Sequence, residues 1–219
     1  ALEAGRLPLV LGGDHSLAMG SVSATAIHLH RQGAAIGLIW VDAHGDLNTP
    51  DSSPSGNIHG MPLAHLLGQG DGDFIGLLDP AGPVDPRRVV LIGVRELDAG
   101  ERKRIRALGL RVFTMRDIDE LGMAEVGRRA IAIAGEGTAG FHLSFDVDVC
   151  DPAVIPGSGT LVPGGIGFRE AHLLLELCAE SGGLLAMDVV ELNPFLDQAN
   201  VSAERTVALI RSALGQTIL

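Results

Sequence analysis

Asp42, His44 and Asp46 alternate in the segment W-V-D-A-H-G-D, directly after an apolar run that ends at Val41. In extended backbone alternate side chains share a face, so the three can converge on one point. Asp146 and Asp148 repeat the spacing as D-V-D after the apolar run ending at Phe145. A third cluster, Gly12-Gly13-Asp14-His15-Ser16, follows the run 7–11 and leads into a helical stretch. Carboxylates and imidazoles at this density suit metal ligation or proton transfer. Any one cluster alone is more commonly a helix cap or a turn. Their recurrence is what points to a site.

The elements that must position them are short apolar strands alternating with helices. Runs 7–11, 35–41, 89–94, 111–114, 141–145 and 184–190 read as strands, and most are continuously apolar, as strands buried on both faces are. Between them, Ala171, Leu174, Leu175 and Cys178 follow helical spacing, as do Ala203, Thr206, Val207, Ile210 and Leu214. This alternation predicts a single α/β domain spanning 1–219, built on a mostly parallel sheet. Open sheets of that kind place ligand sites outside the carboxyl ends of their strands. Six ligands then meet at one edge: His15, Asp42, His44, Asp46, Asp146 and Asp148. Four such carboxylates repel unless cations lie among them. Oxygen-rich ligation with two imidazoles and no thiolate favours Mn²⁺ or Mg²⁺ over structural zinc. Six ligands suggest two ions sharing carboxylates, with a water of lowered pKa between them. The residues alone predict a binuclear metallohydrolase.

Composition excludes other classes. The 219 residues carry 27 acidic against 16 basic side chains, a net charge of −11, which disfavours a polyanionic partner. One Trp and no Tyr leave little to stack nucleobases on. Two cysteines are too few for a disulfide framework and predict a reduced, cytoplasmic setting. No apolar run approaches a membrane span. The segment 46–57, with two prolines, reads as a polar loop with almost nothing to bury. The run 101–106, E-R-K-R-I-R, reads as a solvated helix face.

The motifs G-G-D-H-S, W-V-D-A-H-G-D-L-N-T, S-G-N-I-H-G-M-P, G-V-R-E-L-D, S-F-D-V-D-x-x-D-P and V-E-L-N-P occur in the order seen in the arginases. The chain resembles that branch of the ureohydrolases, a family that also includes agmatinases. The resemblance implies α/β/α architecture and two Mn²⁺ per chain. It also implies hydrolysis of a guanidinium group to urea and an amine by a metal-bridging hydroxide, which Asp46 would orient. By motif, His15, Asp42, Asp46 and Asp146 match the ligands of one ion, and His44, Asp42, Asp146 and Asp148 those of the other. His59 matches the family's proton-transfer histidine, Glu191 the carboxylate that holds the guanidinium, and Thr160 a threonine at that end of the cleft. Asn48, Ser53 and Ser55 match positions that reach an α-carboxylate, and Asn57 and Asp98 positions near an α-amino group. That set predicts L-arginine as substrate, with agmatine, which lacks the carboxylate, as runner-up. Trimers or hexamers are the implied assemblies. Family members carry early strands ahead of G-G-D-H-S, and this chain starts without Met and without that region. Leu161, where proline is usual, and Val149-Cys150 depart from the pattern. A metal-binding but catalytically silent relative, and a plain structural domain with acidic caps, are the rival readings.

Overall fold

The computed structural model describes residues 1–217. Six strands form one all-parallel sheet: β1 (Leu9–Leu11), β2 (Gly37–Val41), β3 (Val89–Val94), β4 (Arg111–Thr114), β5 (Phe141–Asp146) and β6 (Leu184–Val190), in the order β1-β6-β5-β2-β3-β4. Every strand anticipated from the sequence is present, β1 and β2 starting two residues later than their apolar runs. The helices are α1 (Ala18–His30), α2 (Pro62–Leu66), α3 (Gly72–Ile75), α4 (Ala99–Leu108), α5 (Met115–Leu121), α6 (Met123–Gly135), α7 (Phe168–Glu180) and α8 (Val201–Ala213).

Burial on both faces explains the continuous apolar strands. β2, β3 and β5 are buried along their whole length. Ile39, Val41, Val90 and Ile92 point to one core with residues of α5 to α8, while Leu38, Trp40, Val89 and Leu91 point to a second core with α1 and α2. This is a three-layer α/β/α domain, with the parallel sheet the alternation predicted and the layers the resemblance implied. Ala171, Leu174, Leu175 and Cys178 form the buried face of α7. For α8 the anticipated face is corrected. Thr206 and Ile210 are buried, but Val207 and Leu214 are half exposed and Leu209 and Ala213 take their place. Nine of the 13 residues in that helix are small or polar, which left the apolar stripe too sparse to fix its rotation.

One glycine matters to the site. Gly93 has φ +92, and a Cβ there would lie 2.3 Å from Val149 Cγ2. Its conformation breaks the β3–β4 register and lets β3 approach the turn that follows β5. That turn, a single 3-10 turn at Val147–Val149, carries Asp148.

Among the described residues no helix is long and apolar enough to cross a membrane.

Candidate metal centre

The anticipated ligands all lie at the carboxyl edge of the sheet. β1 leads to His15, β2 to Asp42, His44 and Asp46, and β5 to Asp146 and Asp148. The neighbouring β6 ends before Glu191, and β3 leads to Asp98, so five adjacent strands feed one locus. The means of convergence differs from simple alternation. Beyond Val41 the chain leaves the strand, and Asp46 sits at φ +50. Turns, rather than extended backbone, bring His44, Asp46 and Asp148 inward.

Two groups of ligand atoms result, each within 4.8 Å of one another: His15, Asp42 and Asp146, and Asp42, His44 and Asp148. Asp42 belongs to both. Asp46 joins the first, its Oδ2 lying 3.1 Å from His15 Nδ1. Asp42, Asp146 and Asp148 are each aimed by hydrogen-bond anchors. Asp42 Oδ1 accepts from His44 N at 2.7 Å and Oδ2 from Trp40 Nε1 at 3.1 Å. Asp146 Oδ1 accepts from Asp148 N at 2.8 Å, which leaves Oδ2 facing His15. Asp148 Oδ1 accepts from Ala43 N at 3.2 Å, and Oδ2 from Thr160 Oγ1 at 2.9 Å.

The electrostatics fit a cation. His15 Nδ1 is buried and makes no hydrogen bond, yet it lies 3.1–3.2 Å from oxygens of Asp42, Asp46 and Asp146. A lone nitrogen facing three acids is the donor set of a metal ion. Burial, then the Asp42 charge, pushes Asp46 well above the usual carboxylate range. Burial, then Asp148 and Asp42, does the same to Asp146. Burial would raise Asp42 too, but the imidazoles of His15 and His44 beside it, 3.2 and 3.3 Å away, hold it well below that range. Burial works to lower His44, yet Asp148 and Asp42 drive it up to about 12. His15 is likewise held well above the usual value, against burial, by Asp146, Asp42 and Asp46. The cluster gathers negative charge that protons or cations must neutralise.

The centre opens into a cleft of about 490 Å³. His44, Asp46, Asn48, Ser55, His59, Asp98, Thr160 and Glu191 all line it. Ser53 and Asn57 lie outside that lining. The Ser53 hydroxyl accepts from Gly56 N and the Ser55 hydroxyl from Asn57 N. His59, Asp14 and Glu191 form a third group at the rim, with His59 Nδ1 3.7 Å from Asp14 Oδ2. Glu191 holds φ +62 and accepts from His15 N at 2.7 Å. Burial raises its carboxyl above the usual range. Two left-handed non-glycine residues, Asp46 and Glu191, at one site are stored strain of about 1–3 kcal/mol each.

Two sequence expectations need correction here. Leu47, Asn48 and Thr49 of the polar loop are buried, not surface filler. Nor is the run 101–106 wholly solvated, since Glu101 is buried and Arg104 half-buried. Glu101 accepts from Leu47 N and from Asp98 N, and Arg104 donates to the Leu47 carbonyl. Asn48 Nδ2 donates to Asp98 Oδ2 at 2.7 Å. The loop is thus bolted to the start of α4. The D-x-x-E capping box of Asp98 and Glu101 was a sequence sign of that junction.

Trp40 was also missed. Its ring stacks on His15 with centroids 4.1 Å apart and planes 7° from parallel. As the chain's single Trp, it reports directly on the centre. Titrating Mn²⁺ into metal-free protein is expected to quench Trp40 fluorescence saturably, and an unchanged spectrum would argue against an ion at His15.

Fold and site together define a class: an α/β/α protein with a carboxylate-rich candidate metal centre on the carboxyl edge of a parallel sheet. Residues 1–215 match the model of the Arginase family. An arginase of Staphylococcus aureus (strain MRSA252) is 48% identical over 220 residues, covering all of this chain and 71% of that protein. The native structure of Bacillus caldovelox arginase at pH 5.6 superposes with a TM-score of 0.93 at 47% identity, over 100% of this chain and 72% of that one. An Entamoeba histolytica arginase solved in complex with L-ornithine gives a TM-score of 0.90 at 34% identity, over 96% and 70%. The chain belongs to the arginase family, whose members are hydrolases of guanidino C–N bonds.

Proposed function

We propose that this chain hydrolyses the guanidinium group of L-arginine to L-ornithine and urea, with two Mn²⁺ per chain. The observation that carries the reading is the shared-carboxylate His/Asp centre at the floor of a cleft whose walls carry Asn48, Ser55 and Asp98. His15, Asp42, Asp46 and Asp146 would hold one ion, and His44, Asp42, Asp146 and Asp148 the other. When bound, the ions lower the pKa of a water and so supply a nucleophile at neutral pH.

The protein's own groups do the rest. Glu191, fixed by the His15 amide, offers a carboxylate to the planar guanidinium fork. Asp46 accepts a hydrogen bond from the attacking water and orients it. Thr160 keeps the Asp148 carboxylate in place at the same end of the cleft. Asn48 and Ser55 in the cleft wall, with Ser53 on the loop beyond the lining, would provide neutral donors for the α-carboxylate, and Asp98 in the wall, with Asn57 beyond it, would take the α-ammonium. His59 stands at the cleft wall, where it delivers a proton to the departing amine. The solved relative with L-ornithine supports this substrate class. The same reading takes 1–219 as one cytoplasmic catalytic domain that forms a trimer or hexamer.

Urea release with added Mn²⁺ tests the proposal. L-arginine is expected to exceed agmatine by at least roughly 10²-fold in kcat/KM, since polar groups that bind the carboxylate stay unpaired with agmatine. Faster agmatine turnover would make the chain an agmatinase, and stoichiometric metal without turnover a silent relative. His59→Ala is expected to lower kcat by roughly 10²–10⁴-fold with metal content intact. Unchanged turnover would remove His59 from the mechanism.

A further inference from the structure

Asp188 is a fully buried carboxylate within β6, and the chemistry above gives it no part. It accepts on both oxygens: Oδ1 from Ser144 Oγ at 2.5 Å, and Oδ2 from Ser21 Oγ at 2.5 Å and His142 Nε2 at 2.7 Å. Burial would raise its carboxyl, but His142 holds it below the usual range. A hydroxyl has one proton. Ser144 spends its proton on Asp188, so its oxygen must accept at the other contact, 2.8 Å from His15 Nε2. His15 therefore carries its hydrogen on Nε2. In the neutral imidazole that a metal needs, the lone pair is thus left on Nδ1, the nitrogen aimed at Asp42, Asp46 and Asp146.

We propose that Asp188, acting through Ser144, is a positioning residue that fixes the tautomer and ring orientation of His15 and so sets the affinity of the one ion His15 holds. The relay is anchored on its far side, since His142 Nδ1 lies 3.1 Å from Thr25 Oγ1 and both Ser21 and Thr25 belong to α1. Stacking on Trp40 fixes the plane of the ring, and the relay fixes its rotation within that plane. Among the described residues the other candidate metal histidine, His44, has no counterpart to this relay. His44 is a quarter exposed, and its Nε2 faces only the exposed Glu96 at 3.8 Å. The two ions are thus held by histidines of unequal preorganisation, one braced by the core and one by the cleft wall. Outer partners of this kind typically change metal affinity 10–100-fold.

The inference rests on the two-ion reading, and the experiment separates the two. Mn²⁺ is titrated into metal-free protein and the free ion followed by electron paramagnetic resonance, which gives both stoichiometry and affinity of each site. The unaltered chain is expected to take up two ions. Ser144→Ala, which leaves the Asp188–His142 pair intact, is expected to weaken one of them by roughly 10–100-fold and to leave the other unchanged. Asp188→Asn is expected to weaken the same ion, and if it does not fold, Ser144→Ala decides alone. Two ions in the unaltered chain, with equal loss at both sites or no loss in Ser144→Ala, would overturn the relay and leave the metal reading standing. No uptake by the unaltered chain would overturn both.

Discussion

Asp42→Asn is expected to remove both ions together and to lower urea release by more than roughly 100-fold. That bound follows because loss of an outer partner alone costs a metal site about 10–100-fold, and Asp42 is a ligand shared by both groups. The substitution keeps the volume of the side chain and an oxygen that can still accept from His44 N or Trp40 Nε1. The fold should survive it, since a fully buried charge is being replaced by a neutral amide among hydrogen-bond donors. Asp148→Ala separates the roles. Asp148 belongs only to the group with His44, so its loss frees the Thr160 hydroxyl and leaves His44 Nδ1 with Asp42 alone, while His15 keeps its three oxygens. One ion is expected to remain, and activity to fall with the other. Metal analysis beside urea assays reads both variants. Two ions retained in Asp42→Asn would show that the carboxylate is a structural acid and not a bridge.

The ligands were legible because their chemistry is local. Asp42, His44, Asp46, Asp146 and Asp148 each follow an apolar run by a fixed few residues, and a parallel sheet gathers such positions at one edge. The order of the strands was not legible. β1 and β2 are separated in the sheet by β6 and β5, so His15 reaches Asp42 only because two later strands fill the gap. No spacing within one segment encodes that.

The failures share a cause. Counting polar side chains marked 46–57 as surface and 101–106 as solvated. Burial is decided by who satisfies the backbone, and here Glu101 and Arg104 take up the polar groups of Leu47. The loop and the helix cover each other, a pairing of residues more than fifty positions apart. Trp40 and Asp188 escaped notice for the opposite reason. Each sits inside a run read as strand, where an inward side chain passes for core. One stacks on a metal-facing imidazole and the other ends a hydrogen-bond relay to it.

The melting temperature of the metal-free protein is expected to fall as pH rises from about 6 to 9, while the gain on adding Mn²⁺ grows. His15 and His44 are raised in the folded chain, His44 to about 12. A raised group gives its full stability below the unfolded value, near 6.5 for histidine, and loses it as pH climbs through the folded one. Asp46 and Asp146 are raised as well, so their contribution is complete only in acid and disappears on ionisation. Asp42 and the neighbouring Asp188 are lowered and oppose this, but such contributions are lost only as pH falls below the ordinary carboxylate range. Over pH 6–9 every changing contribution of this cluster points down, and the lowered His172, which works the other way near the bottom of that range, is a single contribution against them. Metal reverses the sign, because it binds the deprotonated ligands and each proton shed as pH rises is one it need not displace. Free Mn²⁺ at a hundred times Kd stabilises by about 2.7 kcal/mol per site, or roughly 5–10 °C for a domain of this size. Calorimetry at pH 6, 7.5 and 9, with and without Mn²⁺, measures the gap directly. A gap that stays constant or narrows would mean that the buried acids and histidines are not the groups that bind the ions.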